Sequence, residues 1–150
     1  MDTDNGTNGV SMEELFYIGK VTSYGESAGT VRVTREDKDD RVSAELPVLQ
    51  LSVQGNSFFH MPQIDEQVLV LQLPNAGGKG VGDGYVLGAF YNDIDKPEET
   101  DNDVISFKTK DGSYIKFKDG NIELHAVKNL LITVGEQVRM DRSVGNASSN

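Results

Sequence analysis

The feature that most constrains this chain is a tripeptide repeated at a spacing of eight residues, Lys110-Asp111-Gly112 and Lys118-Asp119-Gly120, within KDGSYIKFKDGNIELH. Asp-Gly reaches the positive backbone dihedrals of a tight turn at little steric cost, so the chain must turn at fixed intervals. Only four or five residues remain between turns, enough for one short strand each. The same region alternates strictly: Ile105, Phe107 and Thr109, then Ile115 and Phe117, Ile122 and Leu124, and finally Leu130, Ile132 and Val134. A period of two puts each set on one face of a short strand. Strands this short are marginal alone, and their apolar stripe needs a covering surface. Two solutions stay open: a β-meander packed on the rest of the chain, or three copies wound about a common axis with the stripes inward, an intertwined trimeric β-helix or β-prism.

Upstream, apolar and β-branched runs lie between Gly, Asp and Asn at residues 19–24, 29–34, 42–48, 67–73 and 85–90. Strands at such short intervals predict an all-β fold, and closing them into a small barrel would remove exposed edges. Met12 to Tyr17 is a candidate short helix, with Ser11 and Glu14 spaced as a capping box. The charged run Arg35 to Arg41 is expected as a solvated hairpin tip. Val68-Leu69-Val70-Leu71 is apolar on both parities, which predicts cover on both sides of that strand, either by barrel and helix or by a partner subunit. The glycine-rich Gly77 to Gly84 lacks the Gly-Lys-Ser/Thr ending of a phosphate cradle and is expected as a loop. These patterns divide the chain into a flexible or docked arm (1–15), a barrel (16–92), an acidic linker DIDKPEETDND (93–103), a segment of short alternating strands (104–140) and a polar tail (141–150).

The net charge of −10 opposes nucleic-acid binding, which draws on Lys and Arg that displace counterions. The absence of cysteine excludes disulfides, thiolate metal sites and cysteine nucleophiles. Residues 1–10 lack the basic and apolar regions of a signal peptide, so assembly in the cytoplasm is expected.

Several segments together resemble the phage baseplate assembly protein V family, the central spikes of contractile-tailed phages, which are related to type VI secretion spike proteins. The resemblance runs from about Phe16 to Met140. It rests on Gly19-Lys20-Val21, on Val31-Arg32-Val33, on Pro62-Gln63-Ile64-Asp65-Glu66-Gln67-Val68-Leu69-Val70, on the segment Gly84 to Asn92, and on the Lys-Asp-Gly strands that follow. One departure falls at Asp65, where the family usually has glycine. The resemblance implies an OB-fold barrel followed by a short intertwined trimeric β-helix, with Ile105, Phe107, Ile115, Phe117, Ile122, Leu124, Leu130, Ile132 and Val134 along the trimer axis. It implies a structural role: a homotrimeric spike that caps the tail tube, docks on the baseplate hub and pierces the host cell envelope on sheath contraction. The implied location is the virion or a tail-like extracellular particle.

Many members of that family end in a His-x-His pair that holds an iron ion at the tip. Here His125 is followed by Ala126 and Val127, so no metal or other cofactor is expected, and a separate tip protein becomes a possible partner. By strand parity, Ile122, Leu124 and Ala126 point inward and His125 outward, as a solvated surface residue. His60, in FFHMP, is expected as a packing or interface residue. With 24 acidic residues some carboxylate pair always qualifies as a glycosidase couple by chance, and neither Gly-x-Ser-x-Gly nor His-Glu-x-x-His occurs, so no enzyme is expected. Two competing readings remain: a monomeric OB-fold module that binds a glycan or peptide, and a cell-wall hydrolase.

Overall fold

A computed structural model describes residues 11–77 and 81–142. The arm at residues 1–10, the centre of the glycine-rich loop at 78–80 and most of the polar tail, 143–150, lie outside the described residues. The chain is all-β, with two antiparallel sheets. It divides into two compact units between Pro97 and Glu98, inside the acidic stretch 93–103.

The N-terminal unit opens with one helical turn, α1 (Met12–Leu15), and passes directly into β1 (Phe16–Tyr24). The helix is shorter than the expected Met12 to Tyr17 because Phe16 and Tyr17 pair with Leu71 and Val70 of β5 (Gln67–Pro74). The capping box does not form: Glu14 N–H reaches the Ser11 carbonyl, and the Ser11 side chain makes no cap hydrogen bond.

Strand β2 (Thr30–Arg35) pairs with β1. The expected strand at 42–48 divides into β3 (Arg41–Val42) and β4 (Leu46–Pro47), both paired with β2. The break occurs where the Ser43 hydroxyl accepts the Val33 N–H and Glu45 turns to accept from Ser27 N–H and Thr30 Oγ1. Strand β6 (Val81–Ala89) pairs with β5, giving the order β3-β2-β1-β5-β6 with β4 on β2. A parallel bridge joins Val48 to Val86, and Leu49 N–H donates to the Val86 carbonyl at 2.9 Å.

Alternation sends Tyr17, Val21, Val31, Val33, Val68, Val70 and Val86 inward, where they form one core with Leu46. Gly19 is required beneath it: a Cβ there would meet the Val33 side chain and lie 2.7 Å from the Thr34 carbonyl oxygen. The bend before β5 places Asp65 at φ 74, with its N–H on the Val21 carbonyl and Val21 N–H on the Glu66 carbonyl. That left-handed backbone is one that glycine adopts freely and other residues adopt at a cost.

One expectation for this unit needs correction. Arg35, assigned to a solvated tip, is only 7% exposed. Its guanidinium lies 4.1 Å from the Tyr17 ring centroid, and its Nε and Nη2 donate to Asp37 at 3.2 and 3.0 Å. Burial raises the Tyr17 pKa, while the Arg35 charge works against that rise. In the run Val68 to Leu71, Val68 and Val70 are buried, Leu71 is half-buried and Leu69 is 37% exposed, so the outer side is only partly covered within one chain.

The C-terminal unit is a three-stranded antiparallel sheet, β7 (Ile105–Lys108), β8 (Tyr114–Lys118) and β9 (Asn121–His125), in that order. The repeated tripeptide makes two different turns. Asp119 and Gly120, at φ 52 and 79, form a two-residue hairpin between the paired Lys118 and Asn121, as a type I′ turn requires. The first copy lies in a longer loop, where Gly112 takes φ 103 and donates to the Thr109 carbonyl, and Thr109 N–H donates to the Ser113 carbonyl.

Candidate functional site

The registers of β7, β8 and β9 bring six of the predicted axis residues onto one face. Ile105 is opposite Phe117, which is opposite Ile122; Phe107 is opposite Ile115, which is opposite Leu124. Directly opposed residues share a face, so these are two cross-strand rows of three. No described residue of the C-terminal unit covers them, and they are 38 to 69% exposed. Phe117 and Ile115 are the least exposed because β8 has a strand on each side.

The other three predicted axis residues do not join this sheet. Leu130, Ile132 and Val134 were expected on a strand, but residues 126–142 form no strand in the single chain. Among the described residues, they make no backbone–backbone hydrogen bond. Val127 N–H is held by the Ser113 hydroxyl at 3.1 Å. Beyond that point Leu130, Leu131 and Ile132 are 59, 87 and 66% exposed. A ladder strand needs a neighbour, and within one chain β9 is already the last strand of the sheet.

The opposite face of the sheet is polar and internally satisfied. Tyr114 and His125, a cross-strand pair, stack with ring centroids 5.1 Å apart. The Tyr114 hydroxyl donates to Glu123 Oε2 at 2.9 Å, which raises the Tyr114 pKa. Lys116 Nζ lies 3.5 Å from Glu99, and Lys108 pairs with Glu98. The Asp101 N–H, then burial working in the opposite direction, and then the Lys116 charge set the Glu99 pKa, with a net lowering. His125 therefore belongs to the polar face, away from the apolar rows. Among the described residues no group of three or more His, Cys, Asp or Glu is arranged to hold a metal ion. No helix among them is long and apolar enough to cross a membrane.

The sequence reading missed a second exposed apolar surface, on the N-terminal unit. Residues 49–60 form a loop closed by reciprocal hydrogen bonds: the Gln50 side-chain amide donates to the His60 carbonyl at 2.8 Å, and His60 N–H donates to Gln50 Oε1 at 2.9 Å. The loop holds Leu51, Phe58 and Phe59 in solvent. His60 was expected to pack or to form an interface; its side chain is exposed, and its backbone anchors the loop. The signal was present in the sequence as a stretch, 46–64, without a single Asp, Glu, Lys or Arg.

No known family model matches this sequence, and a search of curated proteins finds no match to it.

Proposed function

We propose that the chain is a structural subunit of a homotrimeric spike in a contractile tail or injection machine, with the C-terminal sheets of three copies packed about one axis. The observation that carries this reading is the uncovered pair of apolar rows, Ile105–Phe117–Ile122 and Phe107–Ile115–Leu124, on a sheet whose other face is polar. A single three-stranded layer has no core of its own, and threefold association supplies one. Burying each of these side chains contributes roughly 1.5 to 3 kcal/mol, so six per chain make a stiff rod from very little sequence. Residues 126–142, with Leu130, Ile132 and Val134, extend the same apolar lining on strands that pair between copies.

Three features of the N-terminal unit support an OB-type barrel. Strands β2, β1, β5 and β6 form one antiparallel sheet with β4 on β2, and the parallel Val48–Val86 bridge links the β4 end to β6. Asp65 takes a left-handed backbone at the position where the resembled family carries glycine. In the proposed role the barrel caps the tail tube and docks on the baseplate hub, and the trimeric segment transmits the force of sheath contraction to the host envelope. Such a role rests on rigidity and uses no catalytic centre, metal or cofactor.

Light scattering on the purified chain tests the reading directly. A trimer that resists detergent is the expected result. A monomer would reject the spike and leave the glycan- or peptide-binding module, for which the depression of about 510 Å³ beside Ile64, Phe90 and Tyr91 is the place to look.

A further inference from the structure

The N-terminal unit carries two different exposed apolar surfaces. One is the clamped 49–60 loop, whose Leu51, Phe58 and Phe59 are 85, 55 and 76% exposed. The other is the outward face of β1 and β5, where Ile18 lies opposite Leu69 beside Phe16. This face borders an open depression of about 670 Å³. Exposed apolar surface of this kind on a soluble unit marks an interaction site.

Charge and symmetry together select the occupant. Each copy carries a net charge of −10, so copies repel one another wherever charged surfaces approach. The loop belongs to the charge-free stretch 46–64 and can approach another copy without that cost. In a closed ring of three, contacts away from the axis are heterologous, so each copy must offer two different, complementary patches. The charge-free loop and the Phe16–Ile18–Leu69 face, which borders a depression also lined by Lys20, Arg35, Glu36 and Asp37, are two different patches on the same unit and meet that requirement. The Gln50–His60 clamp holds the loop in shape, which reduces the entropy lost on docking.

We propose that the 49–60 loop of one copy seats Phe58 and Phe59 against Phe16, Ile18 and Leu69 of the next copy, locking three N-terminal units into a ring. This inference rests on the trimer proposed above. Joining the copies through their C-terminal segments holds the loops and faces at high effective concentration, so a contact too weak to form between free units suffices.

The chain has no cysteine, which makes engineered pairs unambiguous. Full-length Ile18→Cys/Phe59→Cys, oxidised at low protein concentration and then boiled in detergent to unfold the non-covalent trimer, should give covalent dimers and trimers on a non-reducing gel, while each single variant treated in the same way runs as a monomer. As a second readout, maleimide labelling of Phe59→Cys should be about tenfold slower in the trimer than in a Phe117→Asp background. If the unmodified chain is a trimer by light scattering but the double variant does not cross-link, the ring contact is wrong and the spike reading stands. Equal labelling in both backgrounds overturns the contact too and leaves the loop free for a different protein or a lipid surface. A Phe59→Cys variant that cross-links alone as readily as the double variant means that loops meet one another, which also overturns it. A monomeric unmodified chain removes both the contact and the trimer on which it depends.

Discussion

Phe117 on β8 lies directly opposite Ile122 on β9, and both side chains face solvent in the single chain, at 38 and 69% exposure. The pair is well made as a cross-strand contact and unfinished as a core. Phe117→Asp should therefore leave each chain folded and remove its association, because three carboxylates would converge where three aromatic rings pack. The cost is at least the lost burial, roughly 1.5 to 3 kcal/mol per chain, before any charge repulsion is added. Light scattering should report a trimer for the native chain and a monomer for the variant. A variant that remains trimeric would count heavily against an axis lined by this face.

Residues 126–142 provide a test that leaves the sequence of the axis intact. Among the described residues their amides have no backbone partner, and they should exchange with solvent quickly in a monomer. In the trimer, pairing between copies should protect the amides from Leu130 to Val134, and Phe117→Asp should abolish the protection. Fast exchange of this segment in a confirmed trimer would show that it is not part of the ladder.

Asp65 holds φ 74 while its N–H and the Glu66 carbonyl fasten the bend to Val21. A non-glycine residue there stores strain, partly offset by the greater freedom that glycine would have in the unfolded chain. Asp65→Gly should stabilise the N-terminal unit by about 0.5 to 1 kcal/mol, read as a higher urea midpoint. A lower midpoint would mean that the Asp65 side chain contributes more than its backbone costs.

Glu45 ties β4 to the β1–β2 turn through Ser27 N–H at 3.0 Å and Thr30 Oγ1 at 2.9 Å, with Arg32 at 3.5 Å. The Ser27 hydrogen bond, followed by that of Thr30, lowers its pKa below the usual 4.5. A carboxylate with a lowered folded-state pKa adds stability above its unfolded pKa and loses it as pH falls through the folded value. Glu45→Gln should thus be less stable than the native chain at pH 7, and the gap should close as pH drops below 4.5. A gap independent of pH would assign the effect to packing and not to charge. Comparing the two proteins at each pH cancels the general effect of titrating an acidic chain.

Much of this protein was determined locally. Alternation in 105–107, 115–117 and 122–124 was enough to specify strands and to put six side chains on one face, because side-chain direction in a strand depends only on parity. The second Asp-Gly likewise specified its own hairpin, since both of its residues must take positive φ in a two-residue turn. What parity could not specify was cover. Leu130, Ile132 and Val134 alternate as well as any other set, yet form no strand in one chain, because a strand exists only with a partner and the chain's own sheet ends at β9. The core of the N-terminal unit, and the burial of Arg35 against Tyr17, were likewise decided in three dimensions: Arg35 is one charge in a charged run until β1 and β2 pair and bring an aromatic ring beneath it. Short-range stereochemistry wrote the strands and turns into the sequence. Only the tertiary structure, through contacts between residues far apart in the chain, decided which of their faces are finished within one copy and which are left open.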